Sequence, residues 1–486
     1  MNKAIRRMAV AAIILMLALM ANSTYIQAFR AEELNAKNGN RRVTDSQFSV
    51  NRGPITVGNG NTPIAESKPS DDRYEYQRTY PGRGDYAHLT GYYSFVFGRS
   101  AIEQSQNAAL NGSDPSMAFR RVMDVVTNKR QRGATVKLTI NPSAQAAAIS
   151  GLKGKKGAVV AIDPKTGRIL ASVSLPSYDP NRLAGHDVKT VQEAWEQLNA
   201  DKDKPMLNRA ERELYPPGST FKLVTAAAAL SSGKYTPESQ VDSPAVLNLP
   251  QTTATLPNQN GQNCGGSNRA TILVALRKSC NTAFGVLGME LGAEALREQA
   301  EKFGFGERHL PEIGAVASRF PDDPNAPQVA QSAIGQFDVR STPLQMAMVA
   351  AGIANKGEVM KPYLVSEITT EGLKKISETK PESLHQAVTP EVAEQLNRMM
   401  VDVVANGTGQ PARIDGVEVA GKTGTAQTSP ERPPYAWFVS YAPASDPQVA
   451  VAVVVEDAGV RRDDISGGQL AAPIAKDVME AVLNRR

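Results

Sequence analysis

Histidine and cysteine are scarce in this sequence, which has four histidines and two cysteines in 486 residues. None of the histidines lies in a nucleophile-elbow motif, so the sequence gives no support for a histidine-based triad. No spacing of histidine, cysteine and carboxylate side chains matches a metal site. We therefore predict neither a metal centre nor a cofactor, and a nucleophile in this chain needs another kind of base. The histidines are His88, His186, His309 and His385.

Strong charge asymmetry and clustered basic residues are also missing. The formal net charge is +5, spread along the chain, and no basic run alternates with aromatic side chains, so we expect no nucleic-acid partner. A hydrophobic content of 41% with 21% charged residues is typical of a globular protein. The length allows two or more domains.

One long apolar run is present, from Met8 to Ala21, and three basic residues precede it. Its more polar continuation ends at Phe29, and no clear small-x-small cleavage site follows. We predict an uncleaved transmembrane anchor over 8–29, with residues 1–7 as a cytoplasmic tail. The bulk of the chain would be extracytoplasmic, on a single-pass protein of the plasma membrane. A cleaved secretion signal is the alternative, and it would leave the compartment unchanged.

A serine three residues before a lysine, Ser219 and Lys222, opens an apolar run that ends at Leu230. This spacing places both side chains on one helix face, where an amine can take the proton from a hydroxyl. A segment that is apolar nearly all round predicts a buried helix, and burial lowers the pKa of a lysine. The alternative is that Ser219 is an ordinary helix N-cap.

Two further short motifs follow in an order that singles out Ser219. Ser279 and Asn281 form a serine-x-asparagine pattern, and Lys422 begins the sequence Lys-Thr-Gly-Thr, which ends at Thr425. Each pattern is weak alone. The three in this order, separated by domain-scale gaps, indicate one active site assembled from distant parts of the chain.

The same short patterns recur in surroundings that do not favour catalysis. Three more serine-x-x-lysine matches lie in polar or glycine-flanked stretches, which we interpret as solvated surface; they start at Ser150, Ser231 and Ser377. A second Lys-Thr-Gly, at 165–167, lies between two strand-like runs and is interpreted as a hairpin turn.

The ordered triple resembles that of the penicillin-binding proteins. Over nearly its whole length the chain is similar to their class B, the monofunctional transpeptidases. The triplet Ser-Cys-Asn at 279–281 resembles the actinobacterial penicillin-binding protein A type. Further stretches that match the family are 52–55, 98–103, 157–163, 175–181, 208–210, 335–336 and 342–347.

The pattern of strands and helices agrees with the fold that this resemblance implies. Strand-like runs at 159–162, 169–173, 417–425, 437–441 and 449–455 flank a helical middle, which favours one sheet joining both ends of the domain.

We therefore expect an α/β fold. It comprises a transpeptidase domain over 151–486, with a mainly antiparallel sheet packed by helices, and a β-rich N-terminal pedestal or dimerisation-like domain over 30–150.

The resemblance also implies roles for the motif residues. Ser219 would attack the carbonyl of a terminal D-alanyl-D-alanine peptide, with a neutral Lys222 as the base. Ser279 would pass a proton to the leaving amine. Asn281 would orient Lys222 and bind the substrate amide, and Lys422 would set a positive field.

The resemblance assigns substrate binding to the remainder of the third motif. Thr423 and Thr425 would hold the terminal carboxylate of the substrate, and Gly424 would let the peptide backbone lie close to the strand. The oxyanion would sit between the N–H groups of Ser219 and Thr425.

These roles imply a peptidoglycan D,D-transpeptidase that cross-links stem peptides through a serine acyl-enzyme and is inhibited covalently by β-lactams. A D,D-carboxypeptidase, which shares the motifs, and a non-catalytic penicillin-binding wall scaffold are the alternatives. The resemblance also implies a partner, a polytopic glycan polymerase in the membrane.

The two cysteines, Cys264 and Cys280, can form a disulfide in an exported protein, because the environment outside the cytoplasm is oxidising. In an extended stretch Cys280 would point away from Ser279 and Asn281, so the bond would brace this loop from behind. Two separate thiols are the alternative.

Overall fold

The computed structural model describes residues 3–30, 48–58, 60, 62–117, 132–427 and 432–484. Parts of the predicted tail and pedestal, namely 1–2, 31–47 and 118–131, lie outside the described residues. The first helix, Lys3–Tyr25, is long and apolar enough to cross a membrane, and none of its side chains is buried. A π-helical turn, Ile26–Arg30, follows it.

The described residues form the following elements. The α-helices are α1 Lys3–Tyr25, α2 Ala87–Thr90, α3 Ala101–Ser105, α4 Asn107–Leu110, α5 Pro142–Leu152, α6 Asn181–Ala184, α7 Val188–Ala200, α8 Lys222–Ser231, α9 Ile272–Lys278, α10 Asn281–Leu291, α11 Ala293–Lys302, α12 Ala326–Ser332, α13 Pro343–Ala354, α14 Pro390–Asn406 and α15 Ala472–Val482. The strands are β1 Ile55–Val57, β2 Thr62–Pro69, β3 Tyr76–Thr79, β4 Tyr93–Ser94, β5 Gly98–Arg99, β6 Thr135–Leu138, β7 Lys156–Ile162, β8 Ile169–Leu175, β9 Gln240–Asp242, β10 Val246–Asn248, β11 Thr255–Pro257, β12 Arg269–Thr271, β13 Glu358–Met360, β14 Val365–Thr369, β15 Lys375–Glu378, β16 Ser383–Gln386, β17 Ala420–Ala426, β18 Tyr435–Ala442 and β19 Val449–Asp457.

Five strands form the central sheet of the larger region, in the order β17-β18-β19-β7-β8, and all neighbouring strands are antiparallel. The sheet joins two segments that are far apart in the chain, 156–175 and 420–457. The inner strands are buried on both faces, and this explains the unbroken apolar run of Val449–Val455. The predicted fold class is confirmed.

Helices cover both faces of this sheet. Alternate residues of a strand point to opposite faces, so Val160 of β7 joins one core with Met346 of α13, and Val159 joins a second core with Val478 of α15. Strand β17 is an edge strand, and its open side faces a short 3₁₀ turn, Gly218–Phe221. The first predicted motif therefore lies beside the third.

The N-terminal region is built on a six-stranded sheet in the order β15-β14-β6-β1-β2-β3. Strands β1 and β6 are parallel, and the other neighbours are antiparallel. Two of its strands, β14 and β15, come from 365–378, a stretch that sequence order places in the transpeptidase region. Pattern alone could not reveal this, because strand pairing depends on which edge is open in space.

Several predicted elements begin later than expected. The helix expected to begin at Ser219 begins as a 3₁₀ turn and becomes α-helical at Lys222. The strand expected from Val417 begins at Ala420, because Val417 pairs with Ile414 in a tight turn. The last helix, α15, begins at Ala472, directly after a π-helical turn at Gly467–Ala471.

Candidate active site

Ser219 lies on a rigid turn at the foot of a buried helix. Gly218 before it has φ +55°, a left-handed conformation that glycine adopts without strain, and its N–H donates to the Gly335 carbonyl at 2.9 Å. Lys222 to Leu230 are all buried, as the sequence predicted. The Ser219 side chain is only partly buried and lines a cleft of about 690 Å³.

The second motif is a tight link between two helices. Ser279 ends α9 in a left-handed conformation with φ +62°, and Asn281 begins α10. Of the stretch predicted to be extended, Cys280 is extended, with φ −66° and ψ 123°, but Ser279 before it is an αL residue that ends α9. Backbone strain of this kind is often found at functional sites. Cys280 is joined to Cys264 in a disulfide, with the two Cα atoms 6.0 Å apart.

The third motif lies on the edge strand β17. Its residues pair in register with β18, Lys422 opposite Val439 and Gly424 opposite Trp437. A Cβ atom at Gly424 would lie 3.0 Å from Thr220 Cγ2 and 3.1 Å from the Pro217 carbonyl oxygen. The absence of a side chain at Gly424 thus lets the Ser219 turn pack directly against the strand.

Hydrogen bonds connect the three motifs. Lys222 Nζ donates to Ser279 O and to Asn281 Oδ1, each at 2.8 Å, and lies 3.4 Å from Ser279 Oγ. Lys422 Nζ donates to Ser279 Oγ and to Thr423 O, each at 2.9 Å. Ser279 therefore bridges the two lysines. The structure brings the predicted motif residues into one place.

The Ser219 hydroxyl is not part of this network. Among the hydrogen bonds of the described residues, none joins Ser219 Oγ to Lys222 or Lys422. In enzymes without bound substrate, such catalytic hydrogen bonds are often long and tighten only in the complex. Ser219, Ser279 and Asn281 all line the same cleft, so the hydroxyl has access to the space that the network faces.

Both lysines are completely buried, and this changes their protonation. Burial, followed by the positive charge of Lys422, holds the pKa of Lys222 well below its usual value. Burial lowers the pKa of Lys422 to about 7. Burial thus favours the neutral form of both amines, and a neutral amine can accept a proton.

The cleft contains residues that the motif search missed. It is lined by Ser219, Leu256, Pro257, Asn258, Gln259, Ser279, Asn281, Gln331, Ile334, Gln336, Thr408, Pro411, Thr423, Gly424, Thr425, Gln427, Ser466, Gly467, Gly468 and Gln469. Gly467 and Gly468 form an adjacent glycine pair, a signal of close backbone approach that the sequence offered. Thr408 and Asn258 carried no comparable signal.

Asn258 supports the second motif from below. Its side chain is 5% exposed. Its Oδ1 accepts from the N–H of Asn281 at 2.8 Å and from the N–H of Thr282 at 3.0 Å, and these are orphan donors at the start of α10. Its Nδ2 donates to the carbonyls of Pro244 and Gln262. Asn258 thus holds the helix start that carries Asn281.

The competing copies of the motifs lie on the surface. The serines at 150, 231 and 377 and the lysines that follow them are exposed, as expected. The second Lys-Thr-Gly forms the turn between β7 and β8, also as expected. Within the described part of the chain, no group of three histidine, cysteine, aspartate or glutamate side chains could hold a metal ion.

Family models match most of the chain. The model described as penicillin binding protein transpeptidase domain matches residues 157–480. The model described as penicillin binding protein A dimerisation domain matches residues 52–136.

Relatives match along the full length. The peptidoglycan D,D-transpeptidase PbpA of Mycolicibacterium smegmatis is 44% identical over 99% of both chains, and that of Mycobacterium tuberculosis is 42% identical over 99% of both.

Solved structures are similar as well. The imipenem acyl-enzyme complex of penicillin-binding protein A from M. tuberculosis has a TM-score of 0.86 and 42% identity, covering 90% of this chain and 100% of that one. The penicillin G acyl-enzyme complex of the same protein has a TM-score of 0.85 and 41% identity, covering 89% and 100%.

Proposed function

This chain belongs to the penicillin-binding protein transpeptidase family, and on that premise we propose that it is a peptidoglycan D,D-transpeptidase. It cross-links stem peptides through a serine acyl-enzyme and is inhibited covalently by β-lactams. The observation that carries the proposal is the convergence of Ser219, the 279–281 link and strand β17 on one cleft, with two buried lysines beneath it.

The first half-reaction forms the acyl-enzyme. In our proposal Ser219 Oγ attacks the carbonyl of the penultimate D-alanine, and its proton passes to the neutral amine of Lys222. The N–H groups of Ser219 and Thr425 bind the oxyanion. The tetrahedral intermediate expels the terminal D-alanine, whose amine takes a proton by way of Ser279, which lies 3.4 Å from Lys222 Nζ.

The second half-reaction forms the cross-link. The amine of a second stem peptide attacks the ester carbonyl, the bond to Ser219 Oγ breaks, and the serine regains a proton. Asn281 accepts from Lys222 Nζ at 2.8 Å and so holds the amine of Lys222 beside Ser279. We assign the transpeptidase function to 151–486 and a supporting role to 30–150, whose sheet also takes strands β14 and β15.

We assign binding of the substrate's terminal carboxylate to strand β17. Thr423 and Thr425 line the cleft and can donate hydroxyl protons to an anion. Lys422 lies below them, with its ammonium group 2.9 Å from the Thr423 carbonyl oxygen, and supplies positive charge when protonated. Gly424 lets the Ser219 turn lie directly against this strand, so that the nucleophile and the proposed carboxylate site are adjacent.

Covalent labelling tests the proposal. Wild-type protein incubated with penicillin G should gain the mass of one penicillin, and Ser219→Ala should gain none. Ser231→Ala is the matched control, because it removes the serine of an exposed serine-x-x-lysine motif at the far end of α8. Labelling that survives in Ser219→Ala, or is lost in Ser231→Ala, contradicts the assignment.

The membrane arrangement is a further part of the proposal. We propose that 8–29 is an uncleaved single-pass anchor with 1–7 in the cytoplasm, based on the apolar helix Lys3–Tyr25 and the basic residues at its start. Mass spectrometry of the N-terminal peptide from isolated membranes distinguishes this from a cleaved signal. We further propose that the anchor contacts a polytopic glycan polymerase, which cross-linking from residues of this helix would detect.

A further inference from the structure

A threonine outside all three motifs is hydrogen-bonded to the third one. Thr408 lies in the turn that follows α14, and its Oγ1 is 2.6 Å from Thr423 Oγ1. The turn is held by the N–H groups of Gly407 and Gly409, which both donate to the Val403 carbonyl, at 3.1 and 3.0 Å. Thr408 is exposed and lines the cleft together with Thr423.

The chemistry of a hydroxyl pair makes this contact directional. Each hydroxyl has one proton to donate and two lone pairs to accept with. One proton lies between the two oxygens, so the pair keeps a single proton for a third group. When Thr408 donates to Thr423, that remaining proton is on Thr423, and a chain of hydrogen bonds strengthens its donation.

An anion in the cleft selects this direction. A carboxylate accepts hydrogen bonds and donates none, and bonds to an ionised acceptor are stronger than neutral ones. Lys422 Nζ lies 2.9 Å from the Thr423 carbonyl oxygen and, when protonated, attracts a negative group to the same spot. The strand, the lysine and the turn after α14 therefore face one acceptor.

We propose that Thr408 is a positioning residue for the substrate carboxylate: it donates to Thr423 Oγ1, so that the Thr423 hydroxyl donates to the terminal carboxylate of the stem peptide. The same pair serves the carboxylate of a β-lactam. The proposal rests on the proposed function, because it assumes that Thr423 binds the carboxylate there.

A purely structural role makes a different prediction. If Thr408 only ties its turn to β17, its loss disturbs the cleft equally for every ligand. If Thr408 orients a donor toward an anion, its loss matters only for ligands that carry the anion. Penicillin G and its methyl ester differ in this group alone, so their ratio of acylation rates separates the two roles.

The experiment measures second-order acylation rate constants of the full chain in detergent, with both probes. Thr408→Val removes the hydroxyl at nearly constant volume, and Thr408→Ala is a second deletion in case the valine is not tolerated. Thr408→Ser keeps the hydroxyl. Gln410→Ala, an exposed residue of the same turn, is the control.

We expect Thr408→Val and Thr408→Ala to lower the rate for penicillin G by about tenfold, which corresponds to the loss of one hydrogen bond, and the rate for the ester by less than about twofold. Thr408→Ser and Gln410→Ala should leave both rates near wild type. Equal losses for the two probes, or no loss for either, overturn the proposal for Thr408. A wild-type protein that neither probe acylates at Ser219 instead overturns the proposed function.

Discussion

Two parts of this molecule each bury a pair of basic side chains, but the two pairs have different kinds of partners. In the N-terminal region the guanidinium groups of Arg52 and Arg78 share Glu103, at 2.6 and 2.7 Å. In the cleft Lys222 and Lys422 are equally buried, but among the described residues no carboxylate pairs with either of them. Their partners are hydroxyl, amide and carbonyl oxygens.

The partners decide the protonation states. Burial alone would raise the pKa of Glu103, but Arg78 and Arg52 outweigh it and lower that pKa, so the cluster stays ionised. The pKa values of Lys222 and Lys422 are lowered instead, by burial first and, for Lys222, by its neighbour next. Arginine with a carboxylate gives a fixed charge that supports structure, whereas lysine without one gives an amine that can exchange a proton.

The largest expected effect separates function from stability at Lys222. Lys222→Met removes the proposed base and should slow acylation by penicillin by about 10³-fold, the usual value of a general base. The free energy of unfolding should not fall, because an apolar chain avoids the cost of burying an amine away from water. Stopped-flow acylation and urea unfolding measure both. Lys234→Met, at an exposed lysine, is the control, and a destabilised Lys222→Met with normal acylation would reverse the comparison.

In the pedestal, by contrast, a substitution in the buried cluster should lower the free energy of unfolding. Glu103→Gln leaves Arg52 and Arg78 buried without a carboxylate and should lower the free energy of unfolding by about 3–5 kcal/mol. Glu66→Gln on the same sheet breaks an exposed pair with Lys68 and should change it by less than about 1 kcal/mol. Urea unfolding compares the two. An equal, small effect of both substitutions would mean that the buried cluster contributes no more to stability than the exposed pair does.

A third substitution gives a buried lysine of the cleft a carboxylate partner, as the buried arginines of the pedestal have. Asn281→Asp places a carboxylate beside Lys222 and should raise the pKa of that lysine, because an opposite charge favours the protonated form. The rate of acylation rises as the amine loses its proton, so its pH profile should move to higher pH by the same amount. Asn248→Asp, at an exposed position, should leave the profile unchanged. An unshifted profile in Asn281→Asp would exclude Lys222 as the group that titrates.

A fourth prediction concerns the pH dependence of stability. The pKa of Lys422 is about 7 in the folded protein against an ordinary 10.5, so between these values the unfolded state binds more protons and stability rises with pH. Lys422→Met should remove up to about 1.4 kcal/mol per pH unit of this rise. Urea unfolding between about pH 7 and pH 10 measures the slope. Identical slopes in both proteins would show that Lys422 keeps its proton.

The Glu103 cluster should not contribute in that window. Because the pKa of Glu103 is lowered, its stabilisation is present above its ordinary value of 4.5 and is lost as the pH falls through the folded-state pKa.

Sequence patterns predicted most of what lies along single segments. The apolar run after Ser219 indicated a buried helix, and the strand-like runs at both ends of the domain indicated the strands of the central sheet. The triple motif also indicated that Ser219, Ser279 and Lys422 meet. Patterns failed at Thr408 and Asn258, because a lone threonine or asparagine in a loop has no periodicity or motif to distinguish it.

The amino-acid sequence by itself determined which residues carry chemistry and in which order the helices and strands follow one another along the chain. Both depend on local residue type and spacing. Only the tertiary structure decided that β14 joins the pedestal sheet, that Thr408 reaches Thr423, and that the two lysines are buried without a carboxylate. The physical reason is that burial and partner choice depend on what packs around a group. Those neighbours come from segments far away in the chain, and they set whether a lysine is a fixed charge or a base.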